Sequence, residues 1–99
     1  MQQNQKNMAS LCIPRIENTI TKDYIYKTLC NLQIGNIDRI TEIPLRNDNT
    51  HKRVIFKIRW NQQSKKSITI QKLLQETGSF KLVHDMPWYW KIVTAHPQI

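Results

Sequence analysis

The run from Lys52 to Trp60 alternates with a period of two: Val54, Phe56, Ile58 and Trp60 fall on one side, Arg53, Ile55, Lys57 and Arg59 on the other. Only an extended chain sends successive side chains to opposite faces, so this segment reads as a strand. Its two faces make different demands. The large apolar side chains must be covered, while the largely cationic side must meet water or a partner, as in an antiparallel sheet that is buried on one face only.

The remaining segments supply matching parts. Leu11 to Ile16 is a short apolar run of strand type, expected to end at Pro14, which cannot donate to a ladder. Thr21 is placed to cap a helix over about Lys22 to Asn31, with Asp23 in its first turn and Ile25, Leu29 and Leu32 along one face; Gly35 reads as its stop signal. Ile37 to Leu45 is rich in β-branched residues and leads through the turn chemistry of Asn47-Asp48-Asn49 into the Lys52 strand. Ser64-Lys65-Lys66-Ser67 can open a second helix in which Ile70, Leu73, Leu74 and Thr77 share a face, ending at Gly78. Phe80 to His84 is extended but short and is expected to pair only locally. After a turn at Asp85-Met86-Pro87, Trp88 to Ala95 alternates Trp88, Trp90 and Ile92 against Tyr89, Lys91 and Val93, which assigns both tryptophans to the core. The expected fold class is α+β: a ferredoxin-like β-α-β-β-α-β chain whose four-stranded antiparallel sheet carries two helices on one face. Residues 1–9, rich in Gln and Asn, are expected to form a flexible arm, 10–95 the domain and 96–99 a tail.

Composition narrows the function. With 99 residues there is room for one domain. Fifteen Lys and Arg against seven Asp and Glu leave a net charge of +8, so polyanions are the natural partners. The apolar stretches fall far short of the roughly 20 residues of a membrane helix, and the start MQQNQKNMAS has no apolar signal region, so an intracellular protein with no membrane partner is expected. Cys12 and Cys30, without a CxxC spacing, read as buried free thiols in a reducing compartment. His51, His84 and His96 have no zinc-like spacing, the carboxylates are scattered singly, and Gly35 and Gly78 both read as helix ends rather than a phosphate cradle. Neither enzyme activity nor a metal or cofactor is expected.

From Ser10 to Ala95 the sequence resembles the RNA-recognition motif family. Leu11-Cys12-Ile13-Pro14-Arg15-Ile16 stands where that family has its strand-one hexamer, and Leu11, Ile13 and Ile16 fit it. Arg53 to Trp60 stands where the family has its strand-three octamer, and Arg53, Ile58 and Trp60 match. Ile34-Gly35-Asn36-Ile37 looks like the family's exit from helix one, and Lys91-Ile92-Val93-Thr94-Ala95 like its last strand. At the three positions where the family stacks bases on aromatic rings this chain has Cys12, Ile55 and Lys57, so it is a degenerate form lacking the usual stacking platform. The closing Met86-Pro87-Trp88-Tyr89-Trp90-Lys91 block, with the bias towards Ile, Asn and Lys, is similar to small motif-like proteins of large DNA viruses. That likeness implies a host cytoplasmic or nuclear setting.

The resemblance and the charge together imply a module that binds nucleic acid, single-stranded RNA before DNA, with weak sequence preference. Arg53, Lys57, Arg59 and Lys91, with Lys52 at the turn, are the expected phosphate-tracking cations, and Tyr89 the aromatic able to stack on a base. A solvated polar face is the plain alternative for the cations. Cys12, Ile55 and Val93, with Ile43, form an exposed strip less polar than an RNA platform, and this supports a second function: docking of a protein partner or a second copy of the chain. Lys65, Lys66 and Lys72 make a further basic cluster on the second helix.

Overall fold

The alternation of Lys52 to Trp60 becomes the middle of the longest strand, and the rest of the sheet assembles around it. The computed structural model describes residues 8–95; residues 1–7 of the arm expected at 1–9, the tail at 96–99 and His96 lie outside them. The elements run β1 (Met8–Glu17), α1 (Lys22–Asn31), β2 (Gly35–Leu45), β3 (Asp48–Trp60), α2 (Lys65–Thr77), β4 (Ser79–Asp85) and β5 (Trp88–Thr94). All five strands form one antiparallel sheet in the order β2-β3-β1-β5-β4.

The expected four-stranded ferredoxin-like sheet is therefore incorrect. The segment at Phe80 to His84 is a full edge strand: Phe80 stands opposite Ile92 and Leu82 opposite Trp90. These pairs all point inward and are all buried, so β4 widens the core by one strand. The turn that closes the β4–β5 hairpin contains a cis Met86–Pro87 peptide.

Both helices form as their caps dictate. The Thr21 side chain accepts from the Tyr24 N–H, Ser64 accepts from the Ser67 N–H, and α2 ends on Gly78 in the left-handed region at φ 82°. They contribute Ile25, Leu29, Ile70 and Leu74 to a single core with Leu11, Ile13, Val54, Phe56, Ile58, Trp60, Trp90 and Ile92 of the sheet. Leu73 and Thr77, expected on the same apolar stripe of α2, are exposed, because the helix touches the sheet along a narrower face than the sequence suggests.

Two punctuation residues act differently from their expected roles. Pro14 does not end β1. The strand starts two residues before Ser10 and runs on to Glu17, absorbing Pro14 in a register shift between Ile13 and Ile16. Gly35 does not stop α1; the turn that follows the helix places Gln33 at φ 58°. Gly35 opens β2 opposite Trp60, where an added Cβ would stand 2.2 Å from the Arg59 carbonyl oxygen. Close backbone approach is what requires a glycine there.

Candidate nucleic-acid interface

One row of residues defines the face that the helices leave open. Thr41 stands opposite Ile55, Ile55 opposite Cys12, Cys12 opposite Val93, and Val93 opposite Ser79, so the row crosses all five strands. Directly opposed residues share a face, and positions two apart along a strand share it as well. Arg53, Lys57 and Arg59 of β3, Tyr89 and Lys91 of β5 and Lys81 of β4 therefore lie on that side, and all six are exposed.

This surface is strongly cationic. Arg53, Lys57, Arg59, Lys81 and Lys91 have no ion-pair partner among the described residues; the pairs formed are Arg15–Asp48, Lys27–Asp23, His51–Asp48 and Lys52–Glu42. Lys81 is directly opposite Lys91, and its Nζ lies 4.8 Å from the centre of the Tyr89 ring. A like-charge cross-strand pair opposes folding unless something else uses the charge.

Two expected site residues, Lys52 and Cys12, and one expected core residue, Trp88, need correction. Lys52 is 7% exposed and belongs to the inner side, where its ammonium donates to the Ile20 carbonyl and to the Glu42 carboxylate; it cannot reach a ligand on the open face. Its parity with Val54 points it inward, and Glu42, opposite Val54, is close enough to neutralise it. Cys12 lies in the open-face row as expected but is 8% exposed, covered between its neighbours, and burial pushes its thiol pKa up against the lowering pull of Arg53. The expected apolar strip thus loses its central residue, leaving Ile55, Val93 and Ile43 half-buried. Trp88, assigned to the core, is 65% exposed, whereas Trp90 is buried and stacks on His84 with ring centres 4.5 Å apart.

A second feature adjoins this face, and the sequence did not reveal it. β1 and β5 pair only at Leu11–Thr94 and Cys12–Val93. Beyond Cys12 the register shift around Pro14 turns β1, and the two strands separate into a cleft of about 450 Å³. Ile16, Trp88, Tyr89 and Trp90 line its apolar side; Arg15, Glu17 and His51 give it polar groups. Arg15 and His51 both reach Asp48, at 2.7 and 3.1 Å, so Asp48 offsets the Arg15 charge.

Lys81 could have been found from the alternation Ser79-Phe80-Lys81-Leu82 had that segment been taken as a full strand. Among the described residues no group of three or more His, Cys, Asp or Glu side chains is placed to hold a metal ion. No helix there is long and apolar enough to cross a membrane. The chain matches no family model, and neither a curated protein nor a solved structure is found to be similar to it.

Proposed function

We propose that this protein is a small basic module that binds nucleic acid, single-stranded RNA in preference to DNA, along the open face of its sheet. The observation that carries the reading is the set of five cations, Arg53, Lys57, Arg59, Lys81 and Lys91, displayed on one face with no ion-pair partner among the described residues. Spread over β3, β5 and β4, they suit successive phosphates of an extended strand. The resemblance of the β1 and β3 segments to the RNA-recognition motif favours RNA. The absence of aromatic rings at Cys12, Ile55 and Lys57 favours weak sequence preference over that face. The free cysteines Cys12 and Cys30 fit a reducing, intracellular setting.

Docking of a protein or a second copy is the other reading, and the exposed Val83, Met86 and Trp88 of the β4–β5 hairpin favour it. A titration of labelled single-stranded RNA, single-stranded DNA and duplex over a range of salt separates the two. Contact with about four phosphates gives a log-log slope of about −3. Arg53→Ala, Lys57→Ala and Arg59→Ala each weaken binding to unrelated strands alike. A salt-independent affinity, or no binding at low salt beside a dimer by sedimentation, supports the protein-partner reading instead.

A further inference from the structure

The cleft between β1 and β5 has a composition unlike the face beside it, and that contrast identifies its occupant. Strands in the interior of a sheet normally satisfy one another along their whole length, but β1 and β5 pair only at Leu11–Thr94 and Cys12–Val93, with the Ala95 N–H donating to the Ser10 carbonyl just beyond them. From Ile13 to Glu17 on one side and from Trp88 to Lys91 on the other, the facing backbone edges have no strand partner among the described residues. Pro14 has no N–H and the Glu17 carbonyl already accepts from the Ile20 N–H; the other backbone groups that point into the gap can bond to whatever enters. Beside them are two exposed aromatic rings, Trp88 and Tyr89, and the Glu17 carboxylate.

Resting on the nucleic-acid reading of the sheet face, we propose that this cleft takes one unstacked nucleobase of the bound strand. A base is a flat apolar ring with a polar edge, and the cleft presents the complement of both. Trp88 and Tyr89 supply ring surface for stacking, and the unpaired backbone edges with Glu17 supply hydrogen-bonding groups for the base edge. Its volume of about 450 Å³ lies within the range of small-molecule sites. Charge separates the two parts of the strand. Asp48 pairs with the Arg15 guanidinium and lies 3.1 Å from the His51 ring, so Arg15 brings no uncompensated charge to the cleft, which suits the uncharged base, while the phosphates follow the cations that continue from Tyr89 to Lys91 and Lys81. As a carboxylate, Glu17 can only accept hydrogen bonds, which favours bases that present an N–H donor on their edge.

The test uses the full chain, a single-stranded RNA that binds the wild type, and the same strand with an abasic position moved along it. Trp88→Ala, at an exposed site, lowers affinity about 5- to 150-fold with the salt slope unchanged, since stacking carries no counterion term. One abasic position produces the same loss in the wild type and no further loss in Trp88→Ala. Glu17→Gln, which adds an amide donor, changes the preferred base at that position alone. Wild-type affinity in Trp88→Ala, or equal losses at every abasic position, overturns the cleft while leaving the sheet-face reading intact. Failure of the wild type to bind any strand at low salt overturns both.

Discussion

Trp60 and Tyr89 are both strand aromatics, separated in their roles only by facing. Trp60 is 8% exposed within the core; Tyr89, on the opposite parity of its own strand, is 49% exposed with Lys81 over its ring. Trp60→Ala removes a buried ring that its neighbours cannot replace and is expected to cost roughly 3–5 kcal/mol. Tyr89→Ala is expected to cost less than about 1 kcal/mol of stability, as for other exposed sites, while weakening RNA binding. Denaturant melts of both variants check the facing. If Tyr89→Ala unfolds the chain and Trp60→Ala does not, the strands are inverted and the basic surface disappears with them, because a one-residue shift exchanges the two faces. Lys52 illustrates how strict this parity is. A cation on the inner side survives only because Glu42 and the Ile20 carbonyl meet it there.

At the scale of elements, the β2–β3 hairpin is held to β1 by Asp48. Its carboxylate accepts from the Thr50 hydroxyl and the Thr50 N–H, and it pairs with Arg15 and His51. Those hydrogen bonds, outweighing the opposing desolvation and helped by weaker attractions from Arg15 and His51, hold its pKa below the ordinary carboxylate value. A lowered folded-state pKa gives stability that is present above the unfolded value and is lost as pH falls through the folded one. Asp48→Asn keeps an oxygen acceptor and removes the charge. It is expected to be less stable than the wild type at neutral pH, with the gap closing as pH drops below about 4; a gap of equal size in acid would show that the charge contributes nothing. The edge strands are defended by other means. β2 has a register shift between Ile37 and Ile40 and Pro44 near its end, and β4 is short, charged and irregular at Val83 to Asp85.

At the scale of the whole molecule, net charge matters less than its distribution. The described ion pairs lie at the β1–β3 end, on α1 and under the sheet, leaving the open face uncompensated. Folding alone gives no reason to place Lys81 opposite Lys91. Lys91→Gln removes that opposition while preserving the contact of Lys81 with Tyr89, and it is expected to raise stability by about 0.2–1 kcal/mol. The same change lowers RNA affinity at low salt and makes the salt slope shallower by about 0.7, the share of one phosphate contact. Opposite signs in the melt and the titration mark a residue kept for binding. A Lys91→Gln variant that is less stable, or that binds RNA with an unchanged slope, contradicts this role.

Periodicity along the sequence determined what depends on local geometry. The extent of α1, the caps at Thr21 and Ser64, the left-handed stop at Gly78 and the inward and outward sets of β3 from Arg53 to Trp60 and of β5 beyond Trp88 follow from spacing and side-chain chemistry within a few residues. Arg53, Lys57, Arg59, Tyr89 and Lys91 were legible for the same reason, since alternation alone puts them opposite the core. What the sequence could not decide is what stands across from a segment. Whether Phe80 to His84 was a local hairpin or a fifth strand depended on its register with β5. Whether Lys52 was free depended on Glu42 of the neighbouring strand, and whether Gly35 was a cap or a point of close approach depended on the Arg59 carbonyl. Trp88 had the parity of a core residue, yet β1 and β5 separate before reaching it. That separation, produced by pairing between residues far apart in the chain, leaves the ring exposed and opens the cleft beside it.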